Sequence, residues 1–302
     1  MSRSHVVTSS ELQSLRDLEL MTKATVEGLR QGLHRSPFHG FSAEFSQYRH
    51  YRPGDDLKYV DWKAFARTDR IYTRQFRETT NLAALFVVDI SRSMNFPDGS
   101  RETGTGNRRS KFEMARSVAA ILGTLVLDQG DAAGVLALDE RAHFVPARSG
   151  HHHLRVFLAE LASLGPRGSS SIAEALRRTA TIVKRRGLVI VISDLYDDEA
   201  AIGQLRRLAR MGHDVIVMHT ISREELTLDV GGAAEFVDLE SGRKLMVEPS
   251  AARDAYVAAV RGWLTTIEQQ LRRDGIDYLR LIADEPLEPA LRRFLVTRRG
   301  AS

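Results

Sequence analysis

Residues 82–94 read Leu82-Ala83-Ala84-Leu85-Phe86-Val87-Val88-Asp89-Ile90-Ser91-Arg92-Ser93-Met94. Leu85 to Val88 form an unbroken apolar run, the pattern of a strand buried on both faces of a parallel sheet. The run ends in Asp89, and Ser91 and Ser93 follow at alternate positions. An extended turn after the strand therefore aims one carboxylate and two hydroxyls into the same space. Hard oxygen donors of that kind suit a cation such as magnesium. Aspartate and serine are also ordinary turn and cap residues, so the motif gains meaning only if other stretches converge on it.

Two later runs have the same β-branched character, Leu188 to Ile192 and Val215 to Met218, and the first ends in Ser193-Asp194. Helices separate them. Ser110 and Glu113 form a capping box for a helix that Gly130 stops, and further helices are expected over 152–164, 172–186 and 199–210. Gly134–Leu138 and His143–Val145 read as strands joined through Asp139-Glu140. Glu235 to Glu248 alternates and turns at Ser241-Gly242, which predicts a hairpin inserted at a sheet edge. A helix over 251–273, a strand over 276–282 and a short basic tail complete the chain.

Strand and helix in alternation predict an α/β fold, a doubly wound, mostly parallel sheet of Rossmann type with helices on both faces. In the strand order 3-2-1-4-5-6, the strands ending at Asp89 and Asp194 are first and fourth, neighbours at the switch point where ligands bind. The serine run Ser169 to Ser171 lies at the same end of the sheet. A metal site built from these stretches follows.

Upstream, Ser10 and Gln13 suggest a capping box for a helix to Gly32, with Leu12, Leu15, Leu18 and Leu29 on one face. The expected organisation is an N-terminal helix (1–36), a small aromatic and charged subdomain (37–80), and the sheet domain (81–302) with its inserted hairpin (235–248). Of 302 residues, 43% are apolar and 27% charged, with no cysteine, which excludes disulfides and thiolate chemistry and fits a reducing, cytoplasmic setting. The longest apolar stretch, Val118 to Leu127, is about half of the roughly 20 residues that a spanning helix needs, so no membrane insertion is expected. No Gly-x-x-x-x-Gly-Lys loop or Gly-x-Ser-x-Gly elbow occurs, and no catalytic motif is complete.

The converging residues resemble the metal-ion-dependent adhesion site of von Willebrand factor A domains. There an Asp-x-Ser-x-Ser motif, a threonine in a later loop and an aspartate after the fourth strand hold magnesium. Asp89, Ser91, Ser93 and Asp194 match. Ser170 stands in the threonine position, with Ser169 or Ser171 as alternatives if the loop is shifted. Serine lacks the methyl that restrains the threonine rotamer, so weaker binding of Mg2+ or Mn2+ is expected.

Tyr51-Arg-Pro-Gly-Asp-Asp-Leu-Lys-Tyr-Val-Asp-Trp-Lys-Ala-Phe-Ala-Arg67, followed by Arg74-Gln-Phe76, resembles the signature of the bacterial family called domain of unknown function 58. Its members carry a von Willebrand A-like domain and are typically encoded beside MoxR-type AAA+ ATPases. The resemblance implies a non-catalytic, metal-dependent interaction module, an adaptor for such an ATPase or its client in the maturation of bacterial proteins or complexes. A partner's acidic residue would complete the metal shell.

Two alternatives have weaker sequence support. Asp89 could attack a phosphoryl group beside magnesium, but Ser91 replaces the second acid of such phosphatases and no lysine is evident. The basic and aromatic residues of 48–77 could bind nucleic acid. Asp55, Asp56, Asp61 and Asp69 interrupt them, which favours internal ion pairs and a packed aromatic cluster. His151 to His153 read as a solvated turn, and Arg177, Arg178, Arg185 and Arg186 as a solvated face.

Overall fold

The computed structural model describes residues 9–32, 43–52, 60–78, 82–97, 109–139, 141–166, 171–196, 198–229 and 234–300. The chain divides into two compact units, Met1–Pro37 with Ala83–Ser302, and Phe38–Leu82. Helix α1 (Ser9–Gly32) belongs to the larger unit. It begins at Ser9, so Ser10 lies inside the helix, and Gln13 donates to Asp17 at 2.9 Å rather than closing a capping box. Its buried stripe is Leu18, Thr22, Val26 and Leu29, whereas Leu12 is exposed. The helix packs on three others, Lys111–Asp128, His151–Ser163 and Leu287–Gly300.

In the smaller unit, β1 (Ala43–His50) pairs antiparallel with β2 (Tyr72–Glu78), and α2 (Trp62–Thr68) lies between them in sequence. Asp61 caps α2 by accepting from the Ala64 amide at 2.9 Å and also accepts from the Tyr48 hydroxyl at 2.8 Å. Tyr48 and Tyr72 meet edge to face, and His50 lies against Tyr72. Tyr48 and His50 nevertheless remain exposed. The signature residues 53–59 lie outside the described residues.

The larger unit continues through β3 (Ala83–Val88), α3 (Lys111–Asp128), β4 (Ala132–Leu138), β5 (Ala142–Arg148), α4 (His151–Ser163), α5 (Ile172–Ile182), β6 (Leu188–Ser193), α6 (Asp198–Arg210), β7 (Asp214–Ile221) and α7 (Arg223–Thr227). Strands β8 (Ala234–Val237) and β9 (Lys244–Val247), helix α8 (Pro249–Arg273), β10 (Asp277–Ile282) and α9 (Leu287–Gly300) complete it. The main sheet runs β10-β7-β6-β3-β4-β5, parallel except for β5. This is the expected 3-2-1-4-5-6 order. Every residue of β6 is buried, and β3, β4 and β7 are buried beyond their first residue, while edge strands β5 and β10 mix buried and exposed positions. Central strands covered on both faces need continuous apolar runs; edge strands do not.

Several expectations change. Residues 287–300 form α9 rather than a basic tail, because Leu287, Leu291 and Leu295 recur at helical spacing and bury fully or nearly so. Helix α5 stops at Ile182, before Arg186. His153 is buried on the carbonyl of Ala133 at 2.7 Å, so only His151 and His152 face solvent. The β8–β9 hairpin forms its own two-stranded sheet and joins no edge of the main sheet. Among the described residues, no helix is long and apolar enough to cross a membrane.

Helices α3 and α4 approach closely at Gly123, where an added Cβ would lie 2.3 Å from the Phe157 ring. That ring is fully buried and meets Phe86 edge to face at 5.4 Å, so it has nowhere to go. Gly123→Ala should therefore destabilise the chain by about 1–3 kcal/mol despite alanine's better helix propensity. Adding Phe157→Leu should recover part of the loss. Urea denaturation of the two single variants and the double variant measures this, and strict additivity would contradict the steric account.

Candidate functional site

The β3 strand delivers Asp89 to the carboxyl edge of the sheet, where its amide donates to the carbonyl of Ile192 on β6 at 3.0 Å. The chain then turns. Asp89 Oδ1 accepts from the Ser91 amide at 2.9 Å, and Ser91 starts a short 3-10 turn, Arg92–Asn95, anchored by the fully buried Met94. This turn brings the Ser91 and Ser93 hydroxyls within 3.0 Å of each other.

Strand β6 ends beside it. Ser193 donates its hydroxyl to Asp89 Oδ2 at 2.6 Å, and Ser193 Oγ in turn accepts from the Leu195 amide at 2.9 Å. Leu195 is fully buried with φ 52°, a left-handed conformation that costs a leucine on the order of 1–3 kcal/mol. It reverses the chain directly after Asp194. The Asp194 carbonyl accepts from His219 Nε2 at 2.9 Å, and with that nitrogen protonated the neutral ring's Nδ1 accepts from the Tyr278 hydroxyl at 2.9 Å. Burial lowers the His219 pKa to about 4, so the ring is neutral at pH 7.

Asp89 and Asp194 are thus both buried at adjacent strand ends. Burial and then the Asp194 charge raise the Asp89 pKa to about 6, against the opposing hydrogen bonds from Ser193 and Ser91. Asp194 has a partner that the sequence reading missed. Lys111, with no exposed surface, places Nζ 2.8 Å from Asp194 Oδ2 and 2.5 Å from Glu225 Oε1. Burial works against its charge, yet the two carboxylates hold its pKa above the ordinary lysine value. Glu225 also closes the capping box of α7, accepting from the Ser222 amide at 2.7 Å. One signal pointed to Lys111: it is the first residue of α3 after the Ser110 cap. A cation there opposes the helix dipole unless an acid holds it.

A pocket of about 690 Å³ opens over Asp89, Ser91, Ser93 and Asp194. Its apolar lining includes Phe96, Ile172, Leu228, Phe236 and Leu239, and the hairpin forms part of its wall. Glu240 in the hairpin turn accepts from the Ser93 amide at 2.9 Å, a contact that no sequence pattern announced. Ser170 and Ser169 lie outside the described residues. Ser171 caps α5, its hydroxyl accepting from the Glu174 amide at 3.4 Å. Glu174 turns instead to Arg177 and Arg178, on an exposed face.

The donors suit a small hard cation. Magnesium–oxygen bonds of about 2.0–2.1 Å place neighbouring octahedral ligands roughly 3 Å apart, the separation of the two serine hydroxyls. Two carboxylates share the Lys111 ammonium and Asp89 beside them has hydrogen bonds instead of a cation, so acids outnumber cations in the cluster. Among the described residues, no three histidine, aspartate or glutamate side chains converge as a metal cluster. Any ion here must therefore rely on hydroxyls and water as well as carboxylates.

The family model described as "Protein of unknown function DUF58" matches residues 47–263. An uncharacterized protein of Mycobacterium tuberculosis is 30% identical over 295 residues, 95% of this chain and 89% of its own length. The uncharacterized protein YeaD of Bacillus subtilis is 22% identical over 230 residues, 75% of this chain and 50% of its own. Among solved structures, the conserved hypothetical protein BatB from Bacteroides thetaiotaomicron aligns with a TM-score of 0.46 at 20% identity, covering 72% of this chain and 99% of that one. The SpRpn10 VWA domain aligns at 0.37 and 12%, covering 73% and 95%. These structural likenesses are distant, and the fold rests on the strand order.

Removing Lys111 tests the buried ion cluster. Lys111→Met leaves two carboxylates without their cation and should cost about 3–5 kcal/mol. Adding Glu225→Gln should recover part of that loss by removing one of the stranded charges. Denaturant titration decides it: a Lys111→Met chain as stable as the parent would show that the ammonium does not hold the cluster.

Proposed function

This chain belongs to the DUF58 family, and on that premise we propose that it is a non-catalytic protein-interaction module whose partner docks through a divalent metal, Mg2+ or Mn2+. The observation that carries the reading is the meeting of Asp89, Ser91, Ser93 and Asp194 on one wall of an open pocket. Asp89, Ser91 and Ser93 would hold the ion directly, and Asp194 directly or through water, with the serine loop before α5 supplying a further hydroxyl from Ser170. Bound there, the ion supplies an electrophilic centre that an acidic side chain can complete. The chain's own residues orient those donors: Ser193 fixes Asp89, Lys111 and His219 fix Asp194, and Leu195 reverses the chain. The partner implied by the family resemblance is a MoxR-type AAA+ ATPase or its client.

Phosphoryl transfer draws one point in its favour, since a lysine does stand beside the acids. Lys111 Nζ is nevertheless fully buried and its charge is already matched by two carboxylates, so it is poorly placed to hold a phosphate. Turnover of a phosphate ester that is lost in Asp89→Asn would restore that alternative.

Magnesium at a hundred times its dissociation constant should stabilise the folded chain by about 2.7 kcal/mol. Asp89→Ala should abolish this response in a thermal melt, and Ser93→Ala should weaken it. A pull-down in magnesium and in chelator, with Asp89→Ala alongside, should retain the ATPase or its client only on the unmutated chain with metal. Equal magnesium stabilisation of Asp89→Ala would place the ion elsewhere and end the proposal.

A further inference from the structure

The β8–β9 hairpin contributes no strand to the main sheet, yet its turn reaches the turn that carries Ser91 and Ser93. The turn is preformed: Asp238 Oδ1 accepts from the amides of Glu240 at 2.8 Å and Ser241 at 3.0 Å, and the Asp238 amide closes on Arg243 at 2.8 Å. Glu240 is therefore presented on an ordered loop, and its carboxylate accepts from the Ser93 amide at 2.9 Å. Leu239, the preceding residue, lines the same pocket as Phe96 and Leu228. The opposite strand is loosely covered, with Leu245 and Met246 at 65% and 67% exposure. An aliphatic residue followed directly by an acid is thus delivered to the rim of a site made of hydroxyls and carboxylates.

We infer that the hairpin is an internal competitor: Glu240 holds, within the chain, the place at the Ser93 rim that an acidic residue of the partner takes, with Leu239 in the neighbouring apolar part of the pocket. The partner segment it stands in for is a short turn carrying an aliphatic residue and then aspartate or glutamate. This inference rests on the metal-dependent reading above. A single hydrogen bond to an exposed carboxylate is a weak latch, on the order of tenfold in an equilibrium. It multiplies the partner's apparent affinity by the fraction of chains in which it is open. A partner with several contacts displaces it.

The test uses a fluorescein-labelled peptide of residues 234–248 titrated into the full chain with Mn2+, while bound Mn2+ is counted separately by electron paramagnetic resonance. The peptide should bind the Glu240→Ala chain about tenfold more tightly than the unmutated chain. Chelator should abolish that binding, and a peptide carrying Glu240→Ala should bind neither chain. Glu240 is exposed, so its removal leaves the fold intact. Bound Mn2+ with equal peptide affinity for both chains, including no detectable binding to either, overturns the latch and leaves the metal reading standing. Absence of bound Mn2+ on both chains overturns the two together.

Discussion

Asp89 and Asp194 stand buried at the ends of adjacent parallel strands, and their repulsion is the constraint that organises the upper face of the sheet. Two carboxylates in a low-dielectric setting need compensation by hydrogen bonds, by a cation or by protonation. This chain uses the first at Asp89 and the second at Asp194. Asp89 takes the Ser193 hydroxyl and the Ser91 amide, while Asp194 takes Lys111. The remaining imbalance, seen in the raised Asp89 pKa, is what a divalent ion would relieve.

The surrounding scaffold holds these groups in place against that repulsion. Helix α3 fixes Lys111 by a reciprocal capping box between Ser110 and Glu113 at 3.1 and 2.8 Å. Helix α7 fixes Glu225 by another between Ser222 and Glu225. Under Asp194, His219 links to Tyr278 and sits edge-on to Trp263, which stacks on Tyr196 at 5.5 Å. The Lys111 ammonium lies 4.7 Å from the Tyr196 ring centre. Charge, aromatic faces and helix caps thereby form one continuous support, and the left-handed Leu195 is tolerated because everything around it is fixed.

The central strands were legible because burial on both faces demands unbroken apolar runs, as at Leu85 to Val88 and Leu188 to Ile192. The order 3-2-1-4-5-6 common to doubly wound sheets made Asp89 and Asp194 neighbours on paper, and the main sheet has that order. Elements whose burial comes from a distant partner were misread. Helix α9 looked like a basic tail because its arginines outnumber the leucines at 287, 291 and 295 that it buries. The hairpin looked like an edge addition because alternation reports that two strands pair with each other, and nothing about what they lie over.

The sequence thus established the central strands and the local Asp-x-Ser-x-Ser turn, because each depends on residues near in sequence, while the strand order was the one general to such sheets and the fold has it. Tertiary structure alone brought Lys111 to Asp194 across 83 positions and Glu240 to Ser93 across 147. Such contacts arise where the ends of separate helices and turns happen to meet in space. No periodicity or spacing along the chain encodes that meeting.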